Sequence, residues 1–385
     1  MKIGLVLSNT PSYSETFFNS KIKKLQESGH EVTLFAKKNK DYKDAKVIAP
    51  LSVNILGVLT FVCYGLFNML TFRAFYLLEL QERQSKQRAL KNTFLNAHIL
   101  AQKLDWLHFG YATMALNREL VAEVIQAKMA VSFRGYDINV YPLQNKDCYK
   151  LLWRKIDKVH SISKYLLYKA YNLGLSSKID YKIINPAIDF KKINLLKVNK
   201  QIENLKIFKI VTIARLNWIK GVQYAIDAMK YLLAENIDFE YRIIGGGTKQ
   251  EVEYAKFLIH EHNLENKVFI EGKLSHLDTY QALKMADVYI QPSIGEGFCN
   301  AVLEAQAFGK LCIVTNAGGL PENIINNKTG IIIPTLSSVE IFNAIKTIIN
   351  MPEEQKDKFS KFGKKNVREN YNIEKQQQEF LDFYK

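Results

Sequence analysis

Two α/β halves, each a parallel sheet covered by helices, are what this sequence predicts. The chain has 385 residues, 48% of them hydrophobic, which exceeds one ordinary core and suits two domains. Short apolar runs alternate with stretches of helical periodicity along its length, the pattern of parallel strands joined by crossover helices. A polar stretch rich in Lys and Asn divides these runs into two series. The predicted organisation is a Rossmann-like half over 1–190, a linker over 191–206, a second Rossmann-like half over 207–363, and a final helix within 364–385.

In the first half, residues 2–8 read as a buried strand rather than a leader peptide, because the apolar run is short. A helix over 15–28 follows, with Phe17, Phe18, Ile22 and Leu25 at helical spacing and Gly29 as its stop. Residues 31–36, 105–109, 129–133 and 158–162 read as further strands. The second series has strands at 207–214, 241–245, 268–271, 288–292 and 311–315. In such folds ligands sit at the carboxyl ends of the strands, so a site is expected in the cleft between the halves.

The charge is uneven. Residues 1–190 hold 27 Lys and Arg against 15 Asp and Glu, whereas the rest holds 26 against 23. A basic first half suits an acidic partner such as an anionic membrane surface, lipid or glycan, or is simply a solvated face. No zinc-finger, RNP-like or basic-zipper pattern supports nucleic acid. The cysteines Cys63, Cys148, Cys299 and Cys312 include no Cys-x-x-Cys pair, so neither a disulfide framework nor a zinc site is expected, and a cytoplasmic setting is.

Residues 47–72 carry no charge over 26 positions, enough by length for a membrane span. Pro50, Asn54, Gly57, Gly65 and Asn68 interrupt the run, and a span would split the first half across a bilayer. Two readings remain: an ordinary packed helix pair, or helices that dip into a membrane interface.

The chemistry-bearing residues cluster at strand ends. Glu296 and Glu304 flank a loop-to-helix junction, and Gly297, Phe298, Cys299 and Asn300 lead into the helix with backbone N–H groups suited to phosphate. Glu296 is placed to grip sugar hydroxyls and Glu304 ribose hydroxyls. Arg215 and Lys220, where the first strand of the second half gives way to its helix, can neutralise a diphosphate leaving group. Gly245, Gly246 and Gly247 end the next strand and read as backbone close to a ligand, or as a tight turn. No P-loop is present. No Asp-x-Asp pair offers a metal clamp, so no metal and no other cofactor is expected. In the first half, Ser14, Glu15 and Thr16 read as donor-side residues or a helix cap. His108, Arg134 and Asp137 lie in strand-end loops and are expected at the acceptor.

Together these residues resemble family four of the glycosyltransferases, the group 1 glycosyl transferases. The likeness rests on Glu296 to Glu304 with seven residues between, on Arg215 with Lys220, and on the run from Ala317 through Gly318, Gly319, Leu320, Pro321 and Glu322. Ser14-Glu15-Thr16-Phe17 and His108-Phe109-Gly110 resemble enzymes of bacterial exopolysaccharide, capsule and lipopolysaccharide assembly. Arg134-Gly135-Tyr136-Asp137 departs from a pattern that often begins with His; arginine cannot serve as a general base near neutral pH, but it could bind an anionic acceptor. The resemblance implies a GT-B fold and transfer of a sugar from a nucleotide-sugar donor to a glycan or lipid-linked acceptor. It also implies retention of configuration, with the departing phosphate as base, and a last helix that crosses back onto the first domain. Peripheral attachment to the inner face of the cytoplasmic membrane is the matching expectation. The alternative is a nucleotide-sugar-binding or scaffolding protein of the same fold that has lost turnover.

Overall fold

The computed structural model of the chain describes residues 1–11, 16–37, 42–194 and 207–385. Two compact units emerge: Met1–Asn185 with Gln376–Lys385, and Pro186–Lys375. The division falls five residues before the position expected from sequence, and most of the expected linker lies outside the described residues.

The first unit holds strands β1 (Lys2–Asn9), β2 (Glu31–Lys37), β3 (Lys46–Ile48), β4 (Trp106–Phe109), β5 (Lys128–Phe133), β6 (Lys158–Ser161) and β7 (Asp180–Ile183). They form one sheet in the order β3-β2-β1-β4-β5-β6-β7, every pair parallel. β1 and β2 each bury five consecutive residues, as strands covered on both faces must. Helix α1 (Thr16–Glu27) lays Phe18, Ile22 and Leu25 into the core formed with Ile3, Leu5 and Leu34. Their spacing of four and three puts them on one helix face. The short edge strands β3 and β7 escaped the sequence reading; neither has a buried residue to reveal it.

The uncharged run over 47–72 is broken. Helix α2 (Ile55–Phe67) starts where the Asn54 side chain accepts from the Gly57 N–H at 2.8 Å, and ends at Asn68. Helix α3 (Met69–Arg83) leaves at 105° to it. Helix α4 (Lys86–Leu100) follows, capped by Ser85. No single helix among the described residues is long and apolar enough to cross a membrane, although α2 and α3 together pass that test.

The second unit holds β8 (Phe208–Ile213), β9 (Phe239–Ile244), β10 (Val268–Gly272), β11 (Val288–Gln291), β12 (Leu311–Thr315) and β13 (Ile331–Ile333). The sheet order is β10-β9-β8-β11-β12-β13, again wholly parallel. Helices α5 (Val222–Ala234), α6 (Lys249–Glu261), α7 (His276–Met285) and α8 (Asn300–Ala307) join successive strands from β8 to β12, and α9 (Ser338–Ile349) follows β13. Two apolar clusters build this unit, one containing Ile226, Tyr241 and Ile345, the other Val302, Tyr289 and Leu320.

The segment expected as one final helix is two, α10 (Glu353–Asn370) and α11 (Ile373–Phe383). Tyr371 makes the break. Its ring lies 5.8 Å from that of Phe298, and its hydroxyl donates to the Glu322 carbonyl at 3.0 Å. The last ten residues belong to the first unit, where Phe380, Phe383 and Tyr384 enter the core beside Trp106.

Candidate active site

In each sheet the strand order reverses once, between β1 and β4 and between β8 and β11. A crevice opens at such a reversal because neighbouring loops leave in opposite directions. In the second unit the sequence places its charged residues there. β8 runs into Arg215 and a 3-10 turn over Trp218–Lys220, and β11 runs into Ser293 and Glu296.

The two loops are laced together. The Ile219 carbonyl accepts from the Ile294 and Gly295 N–H groups at 2.8 and 3.3 Å. Asn217 caps the 3-10 turn through the Ile219 N–H. Gly221 adopts φ +64°, and a Cβ there would sit 2.0 Å from the Pro292 carbonyl oxygen, so only glycine fits. This stitching holds Lys220 Nζ 2.5 Å from Glu296 Oε1. Glu296 is buried and ends a polar relay absent from the sequence reading. The Tyr289 hydroxyl donates to Gln291 Oε1 at 2.5 Å, Gln291 Nε2 to Ser293 Oγ at 2.8 Å, and Ser293 Oγ to Glu296 Oε1 at 3.2 Å. The alternation of Tyr289, Gln291 and Ser293 at one strand end was the available signal, since alternate residues share a face. Arg215 is exposed and has no ion-pair partner among the described residues.

Glu304 lies one turn inside α8 and is partly covered. Burial raises its carboxyl pKa to about 7, against the Tyr280 hydroxyl, which donates at 3.3 Å and acts to lower it. Tyr280, on α7, was also missed; its ring lies 5.3 Å from Phe308. The start of α8 has no side-chain cap. One correction applies: the Cys299 N–H is spent on Asn323 Oδ1 at 3.1 Å, and Asn323 Nδ2 returns a bond to the Cys299 carbonyl at 2.8 Å. The Cys299 thiol is buried, which pushes its pKa up to about 12. Phe298 is likewise buried. Gly297 is buried, and Asn300 is exposed at the head of the helix.

The three glycines after β9 divide by role. A Cβ on Gly245 would lie 1.9 Å from the Ala214 carbonyl oxygen, and one on Gly247 would lie 2.6 Å from Leu216 Cβ. These two are required by the chain's own packing against the end of β8. Only Gly246 faces open space.

In the first unit, the residues expected at the acceptor are mostly interior. His108 is buried, with Nδ1 2.6 Å from the Tyr384 hydroxyl and 3.2 Å from Lys21 Nζ, and Nε2 2.8 Å from Ser132 Oγ. Ser132 Oγ in turn lies 2.7 Å from His160 Nδ1. Burial drives both His108 and Lys21 well below their ordinary pKa values, and positive neighbours push the same way. Both His108 ring nitrogens are thus engaged, one by Tyr384 just past the last helix and one by Ser132 on β5. Asp137 is also buried, accepting from the Ala112, Arg134 and Gly135 N–H groups at 3.0, 3.1 and 2.9 Å. It ties the β4 and β5 loops together. Arg134 is half-buried, its guanidinium 3.7 Å from the Phe17 ring centre and its Nε donating to the Gly110 carbonyl. Ser14 and Glu15 lie outside the described residues; Thr16 opens α1. Among the described residues, no three His, Cys, Asp or Glu side chains gather as a metal site.

Two doubly wound parallel units, the second with its charged groups at the strand reversal, define the GT-B class of glycosyltransferase fold. Anabaena Alr3699/HepE, solved in complex with UDP, superposes with TM-score 0.75 over 99% of this chain and 98% of its own at 17% identity. A glycosyltransferase from Rickettsia africae ESF-5 gives TM-score 0.72 over 100% and 97% at 18% identity. Residues 196–366 match the family described as Glycosyl transferases group 1. The amylovoran biosynthesis glycosyltransferase AmsK of Erwinia amylovora is 26% identical over 77% of this chain and 71% of its own length.

Proposed function

We propose that the chain transfers a sugar, with retention of configuration and without a metal ion, from a nucleoside-diphosphate sugar to a glycan or lipid-linked acceptor in bacterial surface polysaccharide assembly. The observation that carries this reading is the Lys220–Glu296 pair, fixed at the β8–β11 reversal with Arg215 at the same strand end. A diphosphate entering there competes with Glu296 for the Lys220 ammonium. Arg215 and Lys220 then neutralise the charge that grows on the leaving phosphate, an interaction strongest in the transition state. Glu296, released, accepts hydrogen bonds from sugar hydroxyls. Glu304 accepts from the ribose, and the uncapped start of α8, with Gly297 and Asn300, receives phosphate oxygens. The departing phosphate takes the acceptor proton. In the first unit, Arg134 is the group assigned to an anionic acceptor.

The donor class draws support from the UDP held by the similar Anabaena protein, and the polysaccharide role from the name of the Erwinia relative. Thermal shift with UDP, GDP, ADP and their sugars tests the reading, because a true ligand stabilises by mass action. One nucleotide should raise Tm and its sugar should turn over in EDTA, with the donor's anomeric configuration kept in the product by NMR. Loss of activity in EDTA restored by Mg²⁺ would overturn the metal-free mechanism; an inverted product would overturn retention. Stabilisation without turnover of any donor would favour a nucleotide-sugar-binding protein.

A further inference from the structure

We propose that the α2–α3 hairpin of the first unit is a one-leaflet membrane anchor that seats the protein on an anionic bilayer. Sequence alone left a packed helix pair and an interfacial one equally open. Exposure decides between them. Ile55, Leu56, Leu66, Phe67 and Leu70 are 83, 72, 74, 87 and 78% exposed. Phe61 turns the other way, with its ring 5.7 Å from Phe72 and 5.3 Å from Phe94, and so fastens α2 to α3 and α4. Water-soluble surfaces rarely present so many large apolar side chains together, and such a patch marks a contact.

The geometry selects a lipid surface rather than a span. α2 has 13 residues, a rise of about 20 Å, against a hydrocarbon core of about 30 Å. α3 turns away at 105° and buries Phe72, Phe75 and Glu79 in its own unit. Its far end is held there by Arg83, which bonds Glu79 at 2.8 Å and Glu119 at 2.6 Å. The pair therefore cannot continue across a bilayer; it can only dip its outer face into one leaflet. The charge around it suits anionic headgroups. α2 has none, and Arg73, Lys86 and Lys91 are exposed without an acidic partner among the described residues. The acids nearby are already matched, Glu79 by Arg83 and Glu82 by Arg154 at 2.7 Å. Apolar insertion and basic attraction reinforce one another.

Cys63 lies exposed on α2, whereas Cys299 and Cys312 are buried. A polarity-sensitive fluorophore on Cys63, in a Cys148→Ser background, reports on this face directly. With vesicles of phosphatidylglycerol and phosphatidylcholine, the full chain should bind, the probe should shift to the blue, and added salt should weaken binding. Phosphatidylcholine alone should bind more weakly. Lys86→Gln with Lys91→Gln should lower affinity for the anionic vesicles by roughly one order of magnitude. Leu56→Glu with Leu66→Glu, both on the outer face, should abolish the probe shift while leaving the Tm within a few degrees. Absence of binding to either vesicle overturns the proposal, as does binding with no change at Cys63. A probe shift without lipid, accompanied by dimers in sedimentation, overturns it in favour of a second copy covering the face. None of these readouts depends on catalysis, so failure here is distinguishable from failure of the proposed transfer.

Discussion

Lys220 and Glu296, 76 residues apart, meet at 2.5 Å because the Ile219 carbonyl is shared by the N–H groups of Ile294 and Gly295. The pair is mostly enclosed, with side chains 18 and 9% exposed. Its partner cation, Arg215, stands outside it. Lys220→Ala and Arg215→Ala should each lower turnover by roughly 10²-fold, the scale of losing one transition-state charge contact. Only Lys220→Ala should also lower the Tm, because it leaves the Glu296 carboxylate enclosed without its counter-ion. Equal thermal effects from both variants would show that the pair does not organise this loop.

Glu304 gives a pH dependence whose sign is fixed. Its pKa is raised to about 7 by burial, so the neutral form persists well above the ordinary carboxylate range. The stability this contributes is complete below the ordinary value and is lost as pH rises through about 7. Hydrogen bonds accepted from ribose need the ionised form, so nucleotide affinity should rise by roughly tenfold between about pH 6 and about pH 8. Titration calorimetry on Glu304→Gln should remove that slope, while titration of the nucleotide's own phosphate is common to both proteins. A slope that survives the substitution would move the ribose contact elsewhere.

The glycine run should respond unevenly. Gly245→Ala places a Cβ 1.9 Å from the Ala214 carbonyl oxygen at φ +148°, and should destabilise the second unit by more than about 1 kcal/mol. Gly246→Ala meets no atom within 4 Å and should leave the denaturation midpoint nearly unchanged. Any loss of nucleotide affinity in that variant would then report on the ligand alone.

The basic residues after α2 should separate by role. Arg83→Gln strips the counter-charge from Glu79 and Glu119, which are 0 and 3% exposed, and should cost about 3–5 kcal/mol in urea denaturation. Lys86→Gln, at an exposed position, should fall within about 0.5 kcal/mol of the parent. Comparable losses would mean that the Arg83 network is not the brace it resembles.

Sequence by itself determined the two parallel α/β series and the charged positions Arg215, Lys220, Glu296 and Glu304. Strands buried on both faces are continuous apolar runs, and loop residues at strand ends interrupt them, so both are visible locally. The short strands β3 and β7 left no such trace, because they bury no residue of their own. Tertiary structure alone decided which polar residues face outward. His108 and Asp137 look like ligand contacts in a line of letters, yet both are buried: Ser132 and Tyr384 engage the His108 ring, and the N–H groups of Ala112, Arg134 and Gly135 engage the Asp137 carboxylate. Gly245 and Gly247 are fixed by the backbone of an adjacent strand, a distance no spacing rule encodes. The letters of the uncharged run over 47–72 do not say which of its side chains the fold covers. Apolarity is a property of the residue, but burial belongs to the fold, and α2 is an apolar helix that its own unit leaves uncovered.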